Sequence, residues 1–500
     1  MLSVYIQEQK YYTLDELVQR FEFKGESAKK DRVTHIWQRL ASKGLAKLVK
    51  KEAKDKDLTE LAQSDAVEIK VGTAFEDCLF VCTFVGVIIV EDVALKCYPK
   101  YIQGESQLLE KMCLIMQVLN KYSNRNQDLS FYALDEKQHF NILTVMLALL
   151  FDYYQYGLYT KEQLIREING NGEILWEPTV NNSLVLFNNN RPIYTELITR
   201  KRVSDEESFI RRVHAWVLMD CSARLAKAEL LDLFALSPVE EECCELDELG
   251  DREYVAKRLQ QEMCSQFNTR KQQLLQLLQA YIKKENLRSE VSGINVYGTV
   301  SFNLVWEKAC ANAMGNVLES RCRDLGMVLQ GRYAEKNMPN LALKEIIDRP
   351  KVVSINKGIG KDYDCDSNLL KPDILTLTKG GNAKWRMDIY DAKYYLASVD
   401  EDGTAHNLPG ISDITKEFLY ELAYKEFREA HGIEMGQNAF VFPAEGEQQA
   451  LASKGEIRMK MFQYYEPELQ PITLLFADAS KVFECYVKGT RLSASNTCFE

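Results

Sequence analysis

Several signatures are missing from this 500-residue chain, and each absence narrows what it does. The first ten residues, MLSVYIQEQK, carry charges where a secretory signal needs an unbroken apolar segment. The longest apolar run, Ile142 to Phe151, is about half the ~20 residues of a membrane-spanning helix. It reads instead as a buried helix, and the expected setting is the cytoplasm, without membrane contact. The 13 cysteines form no C-x-x-C pair; the closest are Cys78/Cys82 and Cys243/Cys244, and an odd number cannot all pair internally. The five histidines, His35, His139, His214, His406 and His431, are dispersed as well. This argues against a zinc site and for reduced, mostly buried thiols. A phosphate-binding loop is also lacking. The nearest approach, KGIGKD at 357–362, has neither the first glycine nor the hydroxyl residue of Gly-x4-Gly-Lys-Ser/Thr. Nucleotide hydrolysis by this chain is not expected. No internal repeat or low-complexity tract occurs.

What is present is material for a large core, since 46% of the residues are apolar. At roughly 100–200 residues per domain the length predicts two to four domains. The net charge of −11 excludes a chain that is basic throughout, yet one local basic surface suffices to meet nucleic acid. Residues 24–56 hold eleven Lys/Arg against four Asp/Glu. Just before this stretch, Thr13 and Glu16 spell a capping box. Val33, Ile36, Trp37 and Leu40 recur with helical spacing until Gly44, and LAKLV then reads as a strand. Helix, turn, helix and strand resemble a winged-helix unit. Lys29, Lys30, Arg32, Arg39 and Lys43 are its candidate DNA contacts. A solvated basic face on a protein adaptor would give the same pattern.

The expected fold class is a mixed, multidomain α+β protein in three parts. Residues 1–105 form a winged-helix-like and small β region, with strands in AVEIKVG, CLFVCTFVGVIIV and ALKCYPKYI. Residues 106–289 form a mainly helical middle or docking region. It includes a helix over 137–156, an extended stretch from GEILWEPTV to ITRKRV, an acidic loop at 237–253 and a leucine-rich helix ending near Asn286. The RSEVSGIN segment opens a last α/β domain, 290–500.

The chemistry concentrates in that last part. KPDILTL and KWRMDIYDAKYYL read as strands joined by a Gly-Gly turn. Period-two alternation puts Trp385, Met387, Ile389, Asp391 and Lys393 on one face, with Asp391 and Lys393 roughly 6–7 Å apart. The hairpin brings Asp373, after Pro372, opposite them. Two converging carboxylates repel unless a cation offsets them, and hard oxygen ligands favour Mg²⁺. A metal-bound water beside a lysine is machinery for phosphodiester hydrolysis. An acid-x-Lys triplet alone is a weak signal: six occur, including EQK at 8, EIK at 68 and DEK at 135, and a salt-bridged surface hairpin would also contain one. The setting distinguishes DAK. Phe302, Val305, Trp306, Ala309 and Ala313 make a helix stripe with Glu307 beside it. A second helix is capped by Asp413, packs through Ile414, Phe418 and Leu422, and carries Lys416 and Tyr420 at i, i+4.

This arrangement resembles the PD-(D/E)xK nuclease superfamily. Over most of the chain the sequence is similar, more narrowly, to the McrC-like subunit of LlaJI-type restriction systems. The ordered stretches that carry the likeness are FVGVIIVEDVALKCYPKYI, GEILWEPTVNN, NRPIYTELITRK, RRVHAWVLMDCS, YGTVSFNLVWEKAC, KPDILTL, IYDAKYY and DITKEFLYELAYK. The resemblance implies a Mg²⁺-dependent (or Mn²⁺-dependent) endonuclease acting on double-stranded DNA with a separate GTP-hydrolysing AAA+ subunit of the McrB type, in defence against foreign DNA. It implies Asp373, Asp391 and Lys393 as catalytic core, Glu307 as the first-helix acid, and Asp373, Asp391 and Glu307 as metal ligands. Lys416 and Tyr420 follow as accessory residues. The superfamily often carries Gln three residues before the tyrosine, where this chain has Glu417. Two other readings stay open: a self-sufficient site-specific endonuclease, and a non-catalytic adaptor for DNA or the motor.

Overall fold

In the computed structural model the described residues are 2–21, 29–50, 78–91, 93–126, 142–189, 191–205, 208–241, 246–285, 294–334, 340–347, 351–353, 360–362, 370–379, 384–400 and 402–492. The expected AVEIKVG strand, the Gly-Gly turn, most of RSEVSGIN, the start of the 137–156 helix, residues 242–245 of the acidic loop and 357–359 of KGIGKD lie outside them. The chain is a mixed α/β protein that divides into two compact units. One comprises Asp135–Val296 with Ile89–Asp92; the other comprises Leu2–Ile88, Val93–Leu134 and Tyr297–Glu500.

The first unit is built on helices Ile142–Tyr156, Phe209–Lys227, Arg252–Ser265 and Thr269–Glu285. The apolar run expected to be buried is buried: Leu143, Val145, Met146, Leu147, Leu149 and Leu150 are all internal. Asp152 receives two bonds from the Arg270 guanidinium, at 2.8 and 2.7 Å, tying two of these helices. Strand Ile198–Asp205 pairs antiparallel with Lys161–Ile168. The stretch read as wholly extended is interrupted by a helix, Trp176–Asn182. Pro178 lies in its first turn, where proline's missing N–H costs nothing. Among the described residues no helix is long and apolar enough to cross a membrane.

The second unit begins as its local sequence dictates. Thr13 and Glu16 close a reciprocal capping box on helix Leu14–Arg20. Helix Lys29–Ser42 buries Val33, Ile36, Trp37 and Leu40. Strand Ala46–Lys50 joins Cys78–Cys82 and Tyr11–Tyr12 in a three-stranded sheet. A second sheet contains Leu2–Gln7 parallel to Val93–Tyr98, with Val85–Val90 beside the latter and Asn295–Thr299 at its edge.

A five-stranded sheet forms the C-terminal core. Its order is Ile374–Lys379, Trp385–Ala392, Glu434–Ala444, Ile472–Asp478, Leu451–Ile457. The three central strands are parallel and the two edges antiparallel. Helix Ile411–His431 makes the crossover between the first parallel pair, the connection such a pair requires. Phe418 on this helix packs with Phe440, Phe442 and Leu474 of the sheet. Tyr420, Tyr424 and Phe427 join a second cluster with Leu375, Met387 and Ile389. The alternate residues Ala439 and Val441 are also fully buried, so the sheet is covered on both faces. Helices Phe302–Ala313 and Ala479–Lys488 pack together, with Trp306 and Phe483 centroids 5.7 Å apart. The Trp306 indole N–H donates to the Val441 carbonyl at 3.4 Å.

Candidate functional site

Strand Trp385–Ala392 is buried from Met387 onward, so its charged end is held by the core. Ile374 pairs with Tyr390, which sets Asp373 across from Asp391 at the strand end. Asp373 Oδ2 accepts the Ala392 N–H at 3.1 Å. Asn316 steadies the neighbouring turn: its side-chain amide donates to the Asp373 carbonyl at 3.1 Å and its Oδ1 accepts the Leu375 N–H at 3.0 Å. Lys393 lies one residue past the strand. Its N–H still donates to Val441 O at 2.9 Å, so the ladder continues through it. Its ammonium stands 2.8 Å from Asp391 Oδ2 and 3.4 Å from Asp413 Oδ1. Asp373, Asp391 and Lys393 are therefore one cluster at the carboxyl end of a parallel strand, the usual place for a site in such sheets.

The electrostatics are those of carboxylates crowded away from water. Burial pushes the Asp373 carboxyl up to about 8, and the neighbouring Asp391 and Glu307 push it the same way, with Lys393 opposing. Glu307, half-buried on helix Phe302–Ala313, is raised by burial and then by Asp391, against Lys393 and a bond from Asn303. Lys393 is partly desolvated, which opposes its charge, but Asp391, Asp413 and Asp373 outweigh this and raise it.

Helix Ile411–His431 supplies the remaining wall. Tyr420 is buried, and its phenol is raised by burial and by the charges of Asp391, Glu417 and Asp373. Lys416 is exposed at the rim, its ammonium 4.0 Å from Asp413. Asp413 differs from expectation. The helix is capped by Gly410 and starts at Ile411, so Asp413 sits in the first turn and faces Lys393 instead. Glu417 is the residue that sequence reasoning left without a role. It is 0% exposed, neither carboxylate oxygen has a hydrogen-bond partner, and burial, Asp391 and Asp373 raise it well above the usual range. Its place three residues before Tyr420 was the available signal.

The donor chemistry suits a divalent cation: buried carboxylate oxygens that repel one another, two of them unpartnered on Glu417. Among the described residues no three acidic, histidine or cysteine side chains are already closed around a common point. The fit is one of donor type and charge.

The basic candidates lie apart from this cluster in sequence and element. Lys29, Lys30, Arg32 and Arg39 belong to helix Lys29–Ser42, and Lys43 follows it. Lys30 and Lys43 are exposed, and Lys29, Arg32 and Arg39 half-exposed; Lys30 pairs with Asp15 at 2.9 Å.

Comparison with known proteins bears on the whole chain. A family model described as LlaJI restriction endonuclease matches residues 84–480. The chain is 24% identical over 434 residues to the "Type II restriction enzyme BsuMI component YdjA" of Bacillus subtilis (strain 168), covering 85% of each. A chain from the refined half-complex of the tetradecameric assembly of Thermococcus gammatolerans McrB AAA+ hexamers with bound McrC aligns over 97% of this chain and 99% of its own. Identity there is 12% and the TM-score 0.37. A chain of the Thermococcus gammatolerans McrBC complex aligns over 56% of this chain and 79% of its own, at 12% identity and a TM-score of 0.24. The likeness to LlaJI-type restriction systems read from the ordered motifs is borne out. With the family match spanning well over half its length, the chain belongs to the LlaJI restriction endonuclease family.

Proposed function

We propose that this protein is the DNA-cleaving subunit of a restriction system, hydrolysing phosphodiester bonds in a PD-(D/E)xK-type nuclease domain. The observation that carries this reading is the convergence of Asp373, Asp391 and Lys393, with Glu307 and Glu417 alongside, at one strand end. Asp373, Asp391 and Glu307 would hold Mg²⁺ or Mn²⁺. When bound, such an ion offsets the carboxylate repulsion and acidifies a water. Lys393 stands at hydrogen-bond distance from Asp391 and would orient the attacking water and meet negative charge developing on the phosphoryl oxygens. Asp413 keeps that ammonium charged and aimed, Lys416 is placed to meet a DNA phosphate, and Tyr420 walls the carboxylates off from bulk water.

Double-stranded DNA of foreign origin is the proposed substrate. The basic side chains of Lys29, Lys30, Arg32, Arg39 and Lys43, on a winged-helix-like module, would bind its backbone without reading sequence. A GTP-hydrolysing AAA+ subunit of the McrB type would act in trans, since the sequence carries no phosphate-binding loop of its own. The designation of the Bacillus relative as a component supports a need for other subunits.

The test is DNA cleavage by the purified chain with Mg²⁺, with and without the motor and GTP. Asp391→Ala should abolish cutting and phage restriction; unchanged restriction would refute the reading. Lys393→Ala should keep DNA and metal binding while losing cleavage. Cutting by the chain alone would show a self-sufficient nuclease.

A further inference from the structure

The residue after Lys393 makes contacts that neither the sequence motifs nor the proposed reaction account for. Tyr394 follows Lys393 directly, two residues past the strand end. Its side chain is 6% exposed, and its hydroxyl donates to Glu8 Oε2 at 2.6 Å. The same oxygen accepts the Lys100 backbone N–H at 3.3 Å. The Lys100 ammonium lies 4.7 Å above the Tyr394 ring and donates to Gln9 Oε1 at 2.8 Å. Phe302, which opens the helix carrying Glu307, packs at a tilt against Tyr394, with ring centroids 5.3 Å apart.

Glu8 and Lys100 come from the N-terminal sheet, just past strands Leu2–Gln7 and Val93–Tyr98. That pair of ends is itself fixed. The Glu8 N–H donates to Tyr98 O at 2.8 Å, and Gln7 Nε2 donates to the carbonyls of Lys100 at 3.1 Å and Ile102 at 2.7 Å. Lys100 lies in FVGVIIVEDVALKCYPKYI, one of the stretches that carry the family likeness, and the proposed reaction assigns it nothing. Burying a carboxylate, a phenol and an ammonium costs free energy that three apolar side chains would not, so these groups serve orientation better than stability.

We infer that Tyr394, Glu8 and Lys100 form a positioning clamp for Lys393, through which the N-terminal sheet fixes where that ammonium meets Asp391. The inference rests on the nuclease reading for the role of Lys393 and deepens it. The clamp holds the Tyr394 side chain while the sheet holds the Lys393 N–H. A terminal ammonium on a four-carbon stem has many rotamers, and fixing both flanks of its backbone restricts where it reaches. Tyr394, Glu8 and Lys100 act through Lys393 and do not touch the reacting atoms.

The experiment compares Tyr394→Phe, Glu8→Gln and the double variant in the full chain with its motor. Each single variant should lower single-turnover cleavage about tenfold with DNA affinity unchanged, and the double variant should be no slower than either. Hydrogen exchange of the peptide spanning residues 391–396 should speed up in all three. Glu445→Gln is the control. It breaks a separate link to the same segment, where Glu445 accepts from the Gln103 N–H at 2.7 Å and the Lys111 ammonium at 2.6 Å, and it should cleave at the unmodified rate. Wild-type cleavage by Tyr394→Phe, unchanged exchange at 391–396, or an equal loss in Glu445→Gln would each overturn the clamp. If the unmodified protein fails to cut DNA, the nuclease reading fails, while the exchange measurement still decides whether the clamp exists.

Discussion

Asp373→Asn should make the metal-free protein more stable while destroying its proposed activity. In the folded chain burial and the neighbouring acids hold the Asp373 carboxyl at about 8, against an ordinary value of 3.8. A carboxyl raised on folding binds its proton more tightly in the native state. The stability it contributes is fully present below about pH 3.8 and is lost progressively as pH rises toward 8. The full difference corresponds to a ceiling of about 6 kcal/mol at about 1.4 kcal/mol per pH unit. Water reaches this half-buried group and the surroundings relax around it, so the expected gain from Asp373→Asn near neutral pH is on the order of 2 kcal/mol. The assay is thermal unfolding of both proteins in chelator at several values between about pH 5 and pH 9. The gap between the two should open with rising pH and level off above about pH 8. Adding Mg²⁺ should then stabilise the unmodified protein more than the variant. Parallel melting at every pH would refute the electrostatic account of this site.

Two further outcomes follow from particular contacts. Glu417→Gln replaces a buried acid whose oxygens have no partners, so it should melt no lower than the unmodified protein in chelator. It should also slow Mg²⁺-dependent cleavage by about tenfold or more, the kinetic equivalent of one lost hydrogen bond or ligand contact; an unchanged rate would remove Glu417 from the site. Gly86→Ala should unfold the N-terminal sheet in a urea titration. Gly86 has φ +136°, and a Cβ there would fall 2.1 Å from the Tyr297 carbonyl oxygen and 2.7 Å from Gly298 Cα. A loss of less than about 1 kcal/mol would show that the two strands part easily.

Much of the candidate site was legible because it is local. Alternation along a strand places Asp391 with Lys393, Pro372 and a hairpin place Asp373, and helical spacing places Glu307 beside a buried stripe. Each needs only the geometry of one element or one turn. The capping box at Thr13 and the buried run at Ile142 are legible for the same reason. Where local pattern gave no answer or the wrong one, tertiary pairing decided. Lys161–Ile168, to which the sequence pattern assigns no element, is a strand paired along its whole length with Ile198–Asp205. Asp413 has the side chain of a cap but lies within the first turn, where Lys393 is its partner.

By itself, then, the sequence determined the mixed α/β class, the Asp373–Asp391–Lys393 constellation and, through its ordered motifs, the likeness to LlaJI-type restriction systems. Only the tertiary structure decided that Glu417 enters the carboxylate cluster unpartnered, and that Glu8, nearly 400 positions earlier, holds the residue next to Lys393. The physical reason is range. Periodicity and capping act over a few residues and can be read along the chain. A buried carboxylate's environment is set by whatever the fold brings across the core, and no spacing in the sequence records that.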